Sequence, residues 1–188
     1  MLLRKLISLD NIFNQGAPVV LVMAYYECPM LCSLVLNGLS KALSESNLNP
    51  GDDYTVLTVS IDPNEGPLLS KEKKANYINS YFDKNRYNNF WTFSTTTQEN
   101  ITQLTDELGF IYSYDEKIDQ FAHSAIVYVL TEEGIISKQI FGINPTSNDL
   151  KLSILSAQNH SLSSVFDKIL LYCYKYDPKA GNYTMLAS

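Results

Sequence analysis

The chain is short of charge, and what it carries leans acidic: 14 lysines and arginines stand against 20 aspartates and glutamates, with charged residues only 18% of 188. No basic stripe interrupts this balance, and Lys71-Glu72-Lys73-Lys74 reads as a solvated first turn of a helix. A nucleic-acid partner is therefore not expected. Cysteine is scarce as well. Three thiols in this length exclude a disulfide-stapled scaffold and leave at most one bridge and one spare thiol. Long apolar runs are missing too: the segment Met1–Ser8 is too short and too interrupted for a signal core or a spanning helix, so no membrane anchor is visible in it. Repeats and low-complexity tracts are absent. What remains, with 45% hydrophobic residues, is enough apolar material for one substantial core and is read as a single domain over 1–188.

The elements alternate. Val19 to Tyr25 is an apolar strand-like run, followed by a helical pattern over 29–44 on Leu31, Leu34, Val35, Leu39 and Ala42. Tyr54–Ile61 is β-branched and strand-like, after turn chemistry at Asn47–Asp52. Ser70 is expected to cap a helix through Tyr81, a short strand is expected near Phe90–Phe93, and Thr96-Thr97-Gln98-Glu99 matches a capping box for a helix to Leu108. A buried strand over 125–130, a turn at Glu132-Glu133-Gly134 and a strand over 135–141 read as a closing hairpin. Helices near 147–156 and 161–174 finish the chain. Strands separated by helices imply parallel crossovers, and the closing hairpin adds an antiparallel edge. The expected fold is α/β, a thioredoxin-like mixed sheet flanked by helices, with a C-terminal helical extension.

Chemistry concentrates at Cys28-Pro29-Met30-Leu31-Cys32, between the first strand and the first helix. Pro29 suits the first helical position, where its missing N–H costs nothing. Cys28 then falls at the N-cap and Cys32 one turn in, so the sulfurs can share a face. A helix N-terminus favours the thiolate, the form that attacks disulfides and binds soft metals. Four helical residues rise roughly 6 Å, a spacing a disulfide also tolerates. Both chemistries are open, as is plain burial of two small hydrophobic side chains. His123, in Phe121-Ala122-His123-Ser124 ahead of the buried strand, offers a third ligand, and thiolate with imidazole suits copper or zinc. His160, in polar Gln158-Asn159-His160-Ser161, reads as an idle loop residue. Cys173 sits on the apolar stripe of the last expected helix and reads as core or docking surface.

Several segments in order resemble the Sco/SenC family, thioredoxin-fold copper chaperones that help assemble the dinuclear copper site of cytochrome c oxidase. They are Tyr25–Cys32, Val59-Ser60-Ile61-Asp62-Pro63, Trp91-Thr92-Phe93, Leu108-Gly109-Phe110, Phe121–Ala125 and the turn around Glu132-Glu133-Gly134. The likeness runs over roughly residues 9 to 187, and it is specific because Cys-x3-Cys and the distant histidine occur together. It implies that Cys28, Cys32 and His123 bind copper as Cu(I), with Cu(II) left open, and that Asp62 stands behind the ligands. It further implies a copper-site subunit of the oxidase, or another copper or thiol client, as partner. Location would be periplasmic or otherwise extracytoplasmic, with anchoring of a longer form left open. Tyr25, Tyr26 and Met30 would shield the site or meet the client. The rival is an enzyme, a thiol–disulfide reductase in which Cys28 attacks and Cys32 resolves; its usual spacing is Cys-x-x-Cys. A peroxiredoxin-like peroxidase wants Thr where Tyr25 stands. No proline precedes His123 at the position where thioredoxin-like redox enzymes keep their substrate-clamping turn, which favours metal binding over general disulfide exchange.

Overall fold

The computed structural model describes residues 8–28, 31–83, 89–159, 174–177 and 182–185. Strand β1 (Val19–Ala24) is the centre of the molecule, and all six of its residues are buried. A strand covered on both faces has no polar side to show, which is why its sequence runs apolar without alternation. It pairs in parallel with β2 (Thr55–Ser60), from Val19 opposite Thr55 to Ala24 opposite Ser60. β2 pairs in parallel with β3 (Trp91–Ser94).

Helix α1 (Leu31–Ser44) links β1 to β2, and α2 (Pro67–Tyr81) links β2 to β3. After α3 (Gln98–Leu108) comes a separate hairpin of β4 (Tyr112–Asp115) and β5 (Gln120–His123), in which Tyr112 faces His123. β6 (Ile126–Leu130) then lies antiparallel to β1, with Val19 opposite Leu130 and Leu21 opposite Tyr128. β7 (Ile136–Phe141) completes the sheet order β3-β2-β1-β6-β7. Helix α4 (Ser147–Gln158) packs on α1, β6 and β7. A ladder of β8 (Tyr174–Asp177) and β9 (Asn182–Met185) follows. This is the expected α/β mixed sheet, parallel at one side and antiparallel at the other.

Several local expectations change. Helix α2 begins at Pro67 behind Gly66, not at Ser70; Ser70 is buried inside the helix and its hydroxyl donates to the Pro67 carbonyl. Proline at the first turn loses no hydrogen bond, so it starts the helix earlier than the serine would. The cap of α3 slips by one residue: Thr97, not Thr96, accepts from the Asn100 amide. Gly109 ends that helix with φ 63°, a left-handed geometry glycine adopts without steric cost. The apolar stripe of α1 runs on Cys32, Val35, Leu36, Leu39, Ala42 and Leu43, while Leu34 is exposed. The β4–β5 hairpin was not anticipated. The expected helix over 161–174 lies outside the described residues, with His160 and Cys173, except at Tyr174, where a strand starts. Among the described residues, no helix is long and apolar enough to cross a membrane.

One packing constraint fixes α1 against the segment ahead of α4. A Cβ at Gly38 would stand 2.1 Å from the Ile143 carbonyl oxygen, so the helix approaches that backbone only because the side chain is missing. Alanine is the better helix former, yet overpacking against backbone typically costs about 1–3 kcal/mol. Gly38→Ala is accordingly expected to lower the thermal midpoint by several degrees, and an unchanged or raised midpoint would show that the contact yields freely.

Candidate metal centre

The sheet register brings the chemistry together. β1 and β2 run in parallel, so the loops leaving them emerge at one end: Tyr25–Cys28 from the first, Ile61–Gly66 from the second. β6 runs the other way, and continuing its register places its start beside the end of β1. His123, three residues ahead of Ile126, is thereby delivered to the cysteine loop from a point 91 residues away in the chain. Crevices outside the carboxyl ends of parallel strands are the usual place for a site in such sheets.

Cys32 is 1% exposed and His123 7% exposed, and Cys32 Sγ lies 2.8 Å from His123 Nε2. The other ring nitrogen settles the tautomer: Nδ1 is 3.0 Å from the Ser124 carbonyl oxygen, which can only accept, so Nδ1 carries the hydrogen. In the neutral ring the lone pair of Nε2 then faces the Cys32 thiol. A ring nitrogen fixed by a backbone carbonyl is how ligating histidines are commonly oriented.

Cys28 is half-buried. Its sulfur accepts from the Cys32 amide at 3.3 Å, capping an otherwise open N–H in the first turn of α1. Through this placement the Cys28 side chain acts electrostatically on both the Cys32 thiol and the Tyr25 hydroxyl. The Tyr25 amide donates to Cys32 Sγ at 3.4 Å. Contact with Cys28, and then burial, push the Cys32 thiol well above the ordinary range. Burial first, and the Cys28 contact second, raise the Tyr25 phenol. Aromatic rings close the surroundings: Tyr25 meets His123 edge-on at 6.1 Å between ring centres, and Phe110 lies 5.9 Å from the imidazole.

The loop itself is anchored from outside. The Tyr26 hydroxyl donates to the carbonyls of Ser94, at 2.7 Å, and Thr58, at 3.1 Å. Burial raises the phenol of Tyr77, on α2, to about 12. Asp62 turns its carboxylate to the Asn64 amide at 2.8 Å, shaping its own turn. The acid that reaches the cysteine loop is Glu65, which accepts from the Glu27 amide at 2.7 Å. The sequence offers two acids in Asp62-Pro63-Asn64-Glu65, and spacing alone does not tell which one points inward.

Cys32 and His123 meet, and Cys28 meets Cys32, so the three form a chain of contacts. Among the described residues, no three His, Cys, Asp or Glu side chains form a ready-made metal cage. The donor chemistry nonetheless fits a soft ion: two thiols and an imidazole nitrogen whose lone pair is already aimed.

Fold and site together define a thioredoxin-like domain with a Cys-x3-Cys loop and a facing histidine. The SCO1/SenC family model matches residues 9–151, and the chain belongs to that family. A comparison with curated proteins returned no match. Among solved structures, the chain is similar to a protein from Aquifex aeolicus VF5 described as an electron transfer protein, with 25% identity, TM-score 0.69, and coverage of 80% of this chain and 83% of that one. It is also similar to Arabidopsis thaliana ScoI with copper bound, at 18% identity and TM-score 0.61 over 80% of this chain and 88% of that one. A third similar structure is BsSco, described with a disulfide switch as a member of the Sco family of cytochrome c oxidase assembly proteins; identity is 17% and TM-score 0.61, over 81% of this chain and 85% of that one.

The difference in burial between the two thiols has a chemical consequence. In the fully reduced protein near neutral pH, iodoacetamide is expected to modify Cys28 before Cys32. Modification of Cys32 should accelerate only above the ordinary thiol range of about 8.5, because its raised pKa keeps it protonated below that. Peptide mass spectrometry over a pH series checks the order, and equal rates at the two sites would contradict the geometry.

Proposed function

We propose that the chain is a copper-binding assembly factor that carries copper to a client copper site, of which the dinuclear site of cytochrome c oxidase is the one family membership favours. The observation that carries this reading is the Cys32–His123 contact, with Nδ1 tied to Ser124 and Cys28 beside it. Copper is cargo here. Cys28 and Cys32 would hold Cu(I) as thiolates, and His123 Nε2 would supply the third donor. Recruiting Cys28 requires its side chain to leave the Cys32 amide and turn to the ion, while Cys32 and His123 part to admit it. Both thiols must lose their protons, so binding releases protons.

An oxidised Cys28–Cys32 pair has no thiolate to offer, so the thiol–disulfide state would gate loading and release. That chemistry belongs outside the reducing cytoplasm, and we place the protein in an extracytoplasmic compartment. The placement of Cys28 beside Cys32 supports a second reading, thiol–disulfide reductase activity on client cysteines, with Cys28 attacking because it is the more exposed thiol. The two readings share a site and are separable by metal binding.

Anaerobic titration of the reduced protein with Cu(I) against a chromophoric chelator tests the first. One tight equivalent is expected, lost in Cys28→Ser/Cys32→Ser and weakened by more than about 100-fold in His123→Ala, beyond what changes behind the ligands usually cost. Apparent affinity should fall as pH drops, since protons compete for both sulfurs. Binding no tighter than in the double-serine variant would remove copper transport and leave the reductase.

A further inference from the structure

Glu65 is 8% exposed, with its carboxylate enclosed by the cysteine loop on one side and the end of β2 on the other. One oxygen accepts from the Glu27 amide at 2.7 Å. The other oxygen accepts from the Ser60 hydroxyl at 2.5 Å. Ser60 is the last residue of β2 and lies opposite Ala24, the last residue of β1. The carboxylate thus ties Glu27, the residue immediately ahead of Cys28, to a rigid strand end. Charge-assisted bonds of this length are about twice as strong as neutral ones, and burying a carboxylate is costly. A neutral packing residue would serve a purely structural need at lower cost.

We propose that Glu65 is a positioning residue of this site: through the amide of Glu27 it holds Cys28 beside Cys32 and so sets both copper affinity and the ease of disulfide formation. The affinity half rests on the copper reading above; the disulfide half does not. With the clamp removed, the loop samples more positions and the sulfurs meet less often. Ligand capture and disulfide closure should then weaken together.

The test uses Glu65→Ala, Glu65→Gln and Ser60→Ala, each first shown to unfold cooperatively. Glutamine keeps an oxygen for the Glu27 amide and an NH2 for Ser60, but not the charge. Two quantities are measured: Cu(I) affinity by chelator competition, and the thiol–disulfide constant in a glutathione buffer. In the latter, Cys28 and Cys32 give up two protons and two electrons to form their S–S bond, and GSSG takes them up as two GSH. Glu65→Ala is expected to lower Cu(I) affinity by roughly 10–100-fold, the range typical of partners behind a ligand. It should shift the thiol–disulfide constant about tenfold toward the dithiol, as a lost effective concentration would. Glu65→Gln should return both to within a few-fold of wild type. Unchanged constants in Glu65→Ala would overturn the proposal, and so would Glu65→Gln matching Glu65→Ala, because charge rather than position would then be at work. Should Glu65→Ala fail to fold, Ser60→Ala decides: a smaller shift in the same direction supports the clamp, and none overturns it. A wild-type protein that binds no Cu(I) would defeat the copper reading alone, leaving Glu65 to be judged on the thiol–disulfide constant.

Discussion

Everything at the functional end of this molecule depends on the pairing of one buried strand with neighbours of opposite sense. β1 is parallel to β2 and antiparallel to β6, so two strand ends and one strand beginning meet at the same edge. Register here is tightly constrained, because a slip of one residue would exchange the faces of every side chain in the core. The contact between Cys32 and His123 is therefore a property of the whole sheet. Neither residue has the local means to find the other.

Around that edge the protein spends hydrogen bonds where secondary structure stops. The stretch Tyr25 to Cys28 is neither strand nor helix, and unpaired backbone in a buried loop is expensive. Its amides are met by Cys32 Sγ and the Glu65 carboxylate, and the Tyr26 hydroxyl reaches across to the ends of β2 and β3. These contacts use groups that also matter for reactivity. The sulfur that caps α1 is the same sulfur that, on the proposed copper reading, would turn toward the ion, so loading would carry a rearrangement at the start of the helix with it.

Much of this was legible in the chain, and what was legible has a physical pattern. β1 and β6 could be read because full burial makes strands apolar throughout, β2 because its residues are largely β-branched, and Cys28, Cys32 and His123 stood out because few other residue types share their chemistry. The β4–β5 hairpin could not be read: its first strand is Tyr-Ser-Tyr-Asp and largely exposed, so burial leaves no mark on it. The start of α2 was misplaced because Ser70 offers a familiar cap while Gly66 and Pro67 offer only a backbone that already bends the right way. Asp62 drew notice through its resemblance, whereas Glu65, one of two acids in the same turn, needed the folded loop to show which way it points. Register lies beyond any local window.

The anchors around the site share one trait. Tyr26 is held by the carbonyls of Thr58 and Ser94, His123 by the carbonyl of Ser124, Cys32 by the amide of Tyr25, and Glu65 by the amide of Glu27. On one side of each bond stands peptide backbone, which every residue type except proline supplies in full. Ser94, Ser124 and Glu27 contribute to these bonds through atoms that substitution leaves in place. Sequence drift can therefore pass through such positions while the site keeps its shape. Solved structures that share this fold at 15–25% identity with the chain are what such an arrangement permits: a centre remembered by the main chain and only lightly written in the side chains around it.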